Sequence, residues 1–185
     1  EVEVVNYSAG THKGLTAKVQ VLNMDASVAW EKEATVDSNE DTTDKCIKLE
    51  FPENLSKVHF IKMTLTEDGK VVSDNFYHRS LEENNYQDLC QLAKVALQSA
   101  TTVDKNADGT WSAVSVIENK TSTPALMIRL NVVDGKDDQQ ILPVFYSDNY
   151  FSLLPGEKKE VRMSWRDEDT RGNEGKVLIT GYNVE

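Results

Sequence analysis

Hydrophobic and polar residues alternate along most of the chain. In residues 15–21 every second residue is apolar, and the runs 61–65 and 126–132 repeat the pattern, with Met127 the one apolar residue out of phase. Successive side chains of a β-strand point to opposite faces of its sheet, so a period of two predicts half-buried antiparallel strands.

Turn-forming residues separate these runs. The turn signals are Asp68-Gly69, Asp108-Gly109, Pro155-Gly156 and Gly172–Gly175. Many short strands separated by such turns predict an all-β fold of the β-sandwich type. Half of the chain, about 90 residues, is enough for a sandwich of six or seven strands.

One segment interrupts the alternation. Residues 81–93 are mostly polar but place Tyr86, Leu89 and Leu92 at roughly helical spacing, which favours a single helical turn or an irregular linker. Strand character resumes at Lys94. We therefore predict, in chain order, a β-sandwich at 1–80, a short linker at 81–93 and a C-terminal β-sandwich at 94–185.

The two halves also resemble each other weakly. Residues 4–8 and 116–121 each contain a short apolar run and an Asn followed two positions later by Ser or Thr, and a long alternating run follows each of them. This similarity predicts two related sandwiches in tandem.

Charge and hydropathy exclude several functions. The chain has 20 Lys and Arg against 31 Asp and Glu, a net charge of −11, and no basic stripe, so it would repel a nucleic-acid backbone. The chain has no run of about 18 apolar residues, so no membrane span is predicted. The N-terminal EVEVVNYSAG lacks the basic start of a signal peptide. It also lacks an initiator Met and opens in mid-strand, so we expect the chain to be a piece of a longer protein.

The sequence predicts no metal or cofactor site. Cys46 and Cys90 are far apart and form no CxxC pair, so a disulfide and two free thiols both remain open. Asp104–Gly109 matches the start of a calcium-binding loop, but the twelfth position is Ser115 where that loop needs Glu, and a hairpin turn is the better interpretation. Three Asn-x-Ser/Thr matches, at Asn6, Asn54 and Asn119, are close to chance in an Asn-rich chain.

The segment PVFYSDNYFSLLPGE, residues 143–157 and hereafter the bend segment, carries the candidate site. Its pattern predicts a strand, a bend at 147–149, a second strand, a turn at Pro155-Gly156 and a third strand. Adjacent aromatic residues on a strand face opposite ways, so half of the four aromatics are expected in the core. The candidates for binding a ligand or a neighbouring domain are Tyr146, Asp148, Asn149 and Tyr150. Core packing with a bend is the leading interpretation, ahead of domain docking and of direct sugar contact.

Two stretches of the second half resemble a known family. LPVFYSDNYFSLLPGE, preceded by PALMIRLNVVDG, resembles the last β-sandwich of glycoside hydrolase family 2 enzymes, nearest the exo-β-D-glucosaminidase and β-mannosidase branch. In the first half, VEVVN, GLTAKVQVLNMD and FIKMTLTEDGKVVSDNFYHRS resemble the preceding domain of those enzymes. The resemblance implies two tandem immunoglobulin-like β-sandwich domains from the C-terminal part of such an enzyme.

It also implies a function without catalysis. Enzymes of this family hydrolyse the glycosidic bond with a pair of glutamates on a (β/α)₈ barrel, which needs about 250 residues that this chain lacks. Asn39-Glu40 and Asn173-Glu174 imitate the family's Asn-Glu dipeptide but lie in polar turn sequence, so neither Glu is predicted to be catalytic.

The resemblance therefore predicts non-catalytic scaffold domains that support the barrel of a parent enzyme, which would be periplasmic or secreted. The expected partner is that barrel, with polysaccharide as a second candidate. A carbohydrate-binding module and a surface adhesion domain are the alternatives.

Overall fold

The computed structural model describes all 185 residues, Glu1–Glu185. The chain divides into two compact units, Glu1–Gln91 and Leu92–Glu185. Each unit is built from antiparallel strands, and the helical content is two short 3₁₀ segments, Gln87–Gln91 and Asp167–Thr170. The predicted all-β fold class with tandem immunoglobulin-like sandwiches is confirmed. Neither helical segment has the length and apolarity needed to cross a membrane.

Unit 1 contains six strands in two sheets. Its strands are β1 (Val2–Asn6), β2 (His12–Asn23), β3 (Val28–Ser38), β4 (Thr42–Ile47), β5 (Val58–Glu67) and β6 (Lys70–Ser80). One sheet has the order β3-β2-β5-β6, and the other is the pair β1-β4. The core between them is formed by Val2, Ala17, Val19, Ile47 and Ile61.

Local sequence explains these strands. Along β2 the apolar residues of the alternating run are buried, and Val19 and Val21 have no exposed surface. β5 and β6 are joined by the turn Asp68-Gly69, where both residues have positive φ, 50° and 75°. Two consecutive left-handed residues form the tight hairpin turn whose twist matches that of the strands, and Asp-Gly is a preferred sequence for it.

Unit 2 contains seven strands. They are β7 (Gln98–Lys105), β8 (Thr110–Glu118), β9 (Ala125–Asp134), β10 (Phe145–Tyr146), β11 (Phe151–Leu153), β12 (Lys158–Arg166) and β13 (Gly175–Thr180). One sheet has the order β10-β12-β8-β7 and the other the order β11-β9-β13.

Trp165 is the largest fully buried side chain of the protein and fills the core of unit 2. Its ring lies parallel to that of Trp111, at 6.4 Å between centroids and 3° between planes. Gly175 lies against Trp165, because a Cβ atom there would come within 2.7 Å of the indole. A glycine at the start of β13 therefore makes room for the tryptophan.

A turn centred on a buried asparagine follows strand β8. The side-chain amide of Asn119 donates to the carbonyls of Thr123 (2.8 Å) and Leu153 (3.0 Å). Its carbonyl oxygen accepts from the backbone N–H (3.1 Å) and the hydroxyl (2.8 Å) of Thr121. One fully buried side chain thus satisfies four polar groups and fixes residues 119–123, which we call the Asn119 turn.

Unit 1 contains the same turn after strand β1. Asn6 donates to the carbonyls of Gly10 (3.1 Å) and Ser38 (3.3 Å) and accepts from the backbone N–H (2.9 Å) and hydroxyl (2.6 Å) of Ser8. The weak sequence repeat therefore corresponds to a repeated structural element, the Asn6 turn at residues 6–10. These two Asn-x-Ser/Thr matches have a structural role. A glycan would replace a hydrogen atom of the side-chain amide, and in both residues that amide donates its hydrogen atoms to backbone carbonyls within the fold.

One sequence expectation changes in the structure. Strand character does not resume at Lys94, and β7 begins at Gln98. Val95 instead bonds to the C-terminal segment: its N–H donates to the carbonyl of Asn183 (2.8 Å), and its carbonyl accepts from the N–H of Glu185 (3.1 Å). Of the two possibilities left open for Cys46 and Cys90, the structure shows two reduced thiols with no disulfide between them. The finer limits, 1–80, 81–93 and 94–185, remain a prediction.

Candidate functional site

The bend segment forms the predicted sequence of strand, bend, strand, turn and strand. β10 pairs with β12, residues 147–150 turn the chain, and β11 pairs with β9. Tyr146 is half-buried and Phe151 is 8% exposed, whereas Phe145 is 70% exposed and Tyr150 is 65% exposed. Two of the four aromatics pack inward and two face the solvent.

Tyr146 links the two sheets of unit 2. Its hydroxyl oxygen accepts a hydrogen bond from the backbone N–H of Val132 at 3.2 Å. Burial raises the pKa of the Tyr146 phenol, because the charged form would lose its hydration. The ring packs against the core of unit 2, so this candidate is a packing residue with an engaged hydroxyl.

Asn149 fixes the bend by imitating a strand. Its side-chain oxygen accepts from the N–H of Leu130 (2.8 Å), and its side-chain nitrogen donates to the carbonyl of Leu130 (2.9 Å). A carboxamide has the same donor and acceptor as a peptide group, so it adds one step of ladder pairing to β9. Asn149 also accepts from the N–H of Tyr150 at 3.0 Å, which holds the next residue in place.

Asp148 supports the bend from the other side. Its carboxylate accepts from the N–H of Asn149 (2.7 Å) and pairs with the ammonium of Lys159 on β12. The same ammonium lies 5.1 Å from the centre of the Phe151 ring. Because Lys159 bridges a carboxylate and an aromatic face, it ties the bend to the neighbouring strands.

Tyr150 is held in an unusual backbone conformation. Its φ is 60°, a left-handed value that a bulky non-glycine residue seldom adopts. The guanidinium carbon of Arg129 lies 5.9 Å from the centre of its exposed ring. Strain of this kind persists only where the surroundings enforce it, and here Asn149 does so.

The arrangement presents an aromatic ring and a guanidinium on a rigid support. Tyr and Arg are over-represented among the residues that dominate binding energies at protein interfaces, because both combine large contact area with polar groups. We call the half-buried Arg129 and the exposed Tyr150 the aromatic patch, whereas the exposed Phe145 lies on β10, in the other sheet of unit 2. Chemically the patch can stack against a flat apolar face and offer cationic hydrogen-bond donors beside it.

Sequence reasoning placed four residues at this site and missed Arg129. Asp148 and Asn149 shape the bend, Tyr146 packs inward, and Tyr150 is the candidate that faces the solvent. Arg129 was not predicted, although the alternation along β9 places it on the outward face of its sheet. The function of the four predicted residues remains a prediction.

The other motifs occupy ordinary turns. The Glu40 carboxylate accepts from the N–H of Gly10 at 2.8 Å, and Glu174 is exposed in the turn before β13. Asp108 accepts from the N–H (3.0 Å) and the hydroxyl (2.6 Å) of Thr110, which closes the β7–β8 hairpin. No group of three or more His, Cys, Asp or Glu side chains is placed to hold a metal ion.

Family models match both parts of the chain. The model for the exo-β-D-glucosaminidase Ig-fold domain matches residues 75–184, and the model for the mannosidase Ig/CBM-like domain matches residues 1–80. These matches confirm the resemblance found in the sequence.

Similar proteins are much longer than this chain. The exo-β-D-glucosaminidase of Streptomyces avermitilis is 30% identical over 99% of this chain and 23% of its own length. The enzyme of the same name from Arthroderma benhamiae is 26% identical over 100% of this chain and 22% of its own length. Residues 1–185 therefore span less than a quarter of these relatives.

The structural similarity has the same extent. The crystal structure of the exo-chitosanase CsxA from Amycolatopsis orientalis superimposes with a TM-score of 0.91 at 25% identity, covering 98% of this chain and 24% of that one. A related structure of that enzyme is a complex with PNP-β-D-glucosamine. The matched family model covers more than half of residues 1–185, so the chain belongs to the family of exo-β-D-glucosaminidase Ig-fold domains.

Proposed function

We propose that residues 1–185 are the non-catalytic C-terminal domains of a retaining family 2 glycoside hydrolase that acts on β-D-glucosaminides. The observation that carries this proposal is the extent of the match: nearly all of this chain aligns with about a quarter of each glucosaminidase relative. The parent enzyme would supply the barrel and its two glutamates.

The carboxylates of the chain support this view. Retaining glycosidases need two carboxyl groups about 5–5.5 Å apart in a cleft. Glu40 accepts from the backbone N–H of Gly10 in the Asn6 turn, and Glu174 is in an exposed turn of the other unit. Neither environment supplies the burial that a general acid needs.

The test compares the parent enzyme with the 185-residue chain on PNP-β-D-glucosamine. We expect turnover by the parent and none above background by the chain alone. Turnover by the chain that survives the Glu40→Gln and Glu174→Gln substitutions would reject a non-catalytic role.

We assign the aromatic patch to docking against another part of the parent enzyme. In the full-length parent, Tyr150→Ala should speed thermal inactivation severalfold and leave kcat/KM nearly unchanged, because it would loosen a domain contact away from the reacting bond. Tyr7→Ala is the matched control, since Tyr7 is 85% exposed in unit 1 and outside the patch. Equal inactivation rates for Tyr150→Ala and Tyr7→Ala would argue against docking at the patch.

Carbohydrate binding is the second candidate, favoured by the solvent-facing ring of Tyr150 beside Arg129. Affinity electrophoresis of the 185-residue chain in gels containing chitosan or mannan distinguishes the two roles. Retardation that Tyr150→Ala abolishes would support sugar binding, whereas unchanged mobility in both gels is the result expected for a docking surface.

A further inference from the structure

A groove runs along strand β1 on the inner side of unit 1. Its floor consists of Ala17 and Val19 on β2 and Met63 and Leu65 on β5, and residues 2–5 of β1 form one wall. Ser73 and Asn75 of β6 line the far side. We call this feature the β1 groove.

The wall of the groove is an unpaired strand edge. β1 pairs with β4 on one side only, so the N–H and C=O groups along its other edge have no strand partner. An open edge next to apolar side chains is a template for an additional strand. The groove volume of about 220 Å³ is smaller than that of ordinary small-molecule sites, which occupy about 300–1,000 Å³, and suits one or two strand side chains.

In unit 2 the strand that corresponds to β1 has both of its edges paired. The Asn6 and Asn119 turns make the same four hydrogen bonds, so β1 corresponds to β8. Residues 2, 4 and 6 are buried, and so are residues 115, 117 and 119. Both strands also pair antiparallel with the strand that follows later in their unit, β4 or β12.

The second edge of β8 is covered by β7. β7 pairs with β8 from Gln98↔Glu118 to Lys105↔Trp111, and its Val103 packs against the core of unit 2. Unit 1 has no strand equivalent to β7, and the β1 groove lies beside the edge where that strand would pair.

We propose that the β1 groove receives a β-strand of the parent enzyme's own chain, from the segment that directly precedes Glu1. In unit 2, β7 leads into β8 through a hairpin, and Gln98 precedes Asn119 by 21 positions. The same spacing counted back from Asn6 places the start of the equivalent strand about 16 positions before Glu1. It pairs antiparallel with β1 and places an apolar side chain on Met63 or Leu65. This inference rests on the proposed function only in requiring a parent chain longer than residues 1–185.

The experiment measures access to the groove by thiol labelling. A Met63→Cys variant, made with Cys46 and Cys90 replaced by Ser, is compared in the 185-residue chain, in the full-length parent and in the chain extended by the 20 parental residues before Glu1. We expect labelling to slow at least tenfold in the two longer proteins. Val71→Cys is the matched control: Val71 is 60% exposed on β6 and outside the groove, so its labelling should not change.

Hydrogen exchange at residues 2–6 provides a second measurement, because strand pairing protects amide groups along the covered edge. An extension with proline at two alternate strand positions cannot donate to β1 and should restore rapid exchange and labelling. Equal labelling of Met63→Cys in all three proteins would overturn the inference. Protection in the 185-residue chain that increases with protein concentration would assign the groove to a second copy and would overturn it as well.

The result is independent of enzyme activity. A parent that fails to hydrolyse β-glucosaminides but protects the groove would refute only the proposed function. A parent that hydrolyses them but leaves Met63→Cys open to labelling would refute only the strand inference.

Discussion

The Asn119 turn should contribute a large part of the stability of unit 2. Asn119→Ala removes four hydrogen bonds from a side chain with no exposed surface. A protein hydrogen bond contributes about 0.5–1.5 kcal/mol net, and a buried group left without its partner costs about 1–3 kcal/mol. The carbonyl of Leu153 is buried where it meets Asn119, whereas the Thr121 groups lie nearer the solvent and can bind water. We therefore expect a loss of about 3 kcal/mol from the free energy of unfolding.

Urea denaturation followed by tryptophan fluorescence measures this loss. Trp111 and Trp165 belong to unit 2, so a Trp30→Phe background removes the signal of unit 1. With a slope of about 1–3 kcal/mol per molar urea for a domain of this size, the midpoint should fall by about 1–3 M.

Asn54→Ala is the matched control, because it removes another Asn-x-Ser asparagine that is exposed, and it should change stability by less than about 0.5 kcal/mol; it lies in unit 1 and is therefore measured with Trp30 retained. Asn119→Asp should also destabilise unit 2, since it keeps the acceptors but removes both donated bonds and buries a charge. A loss below about 1 kcal/mol for Asn119→Ala would refute the argument that this side chain organises the turn.

Three further predictions concern packing, protonation and backbone strain. Gly175→Ala should destabilise unit 2 by about 1–3 kcal/mol in urea, because its new methyl group would meet the fully buried Trp165. Burial lowers the pKa of His59 and His78 below the ordinary 6.5, so these side chains bind protons more readily in the unfolded chain than in the folded one. Their contribution to the free energy of unfolding is complete above pH 6.5 and falls as the pH is lowered from there. Urea midpoints measured at pH 8, 6.5 and 5 should show the loss. At position 150, whose φ is 60°, Tyr150→Gly should be more stable than Tyr150→Ala by about 1 kcal/mol in thermal unfolding, because only glycine adopts this conformation freely.

Each of these has a defined contrary result. Unchanged unfolding of Gly175→Ala would mean that the indole shifts without cost. If the double variant His59→Leu, His78→Phe kept the same pH dependence as the unsubstituted chain, other groups would be responsible. Equal stability of Tyr150→Gly and Tyr150→Ala would indicate that the bend carries no strain.

Sequence patterns predicted the framework because strand alternation is a local property. The long runs of β2 and β9 have buried residues at every second position, as their sequences require. The β5–β6 hairpin was equally predictable, since Asp68-Gly69 is a preferred pair for the turn that joins two twisted strands.

The candidate site was predicted less fully because its side chains depend on contacts between distant strands. Asn149 looked like an ordinary bend residue, yet its amide pairs with Leu130, 19 positions earlier. Asn6 and Asn119 resembled chance glycosylation matches, although each reaches a carbonyl on another strand. In each case the partner is set by the tertiary fold, and single-residue preferences contain no information about it.

The buried asparagine turns have a consequence for production in eukaryotic cells. Oligosaccharide transfer acts on extended nascent chains, where Asn6 and Asn119 present an ordinary acceptor tripeptide. The folded domain needs both amide hydrogens of each side chain for its own carbonyls, so a sugar attached early would block maturation. Secretion from yeast should therefore partition each molecule between sugar addition and folding, and bacterial expression avoids that competition.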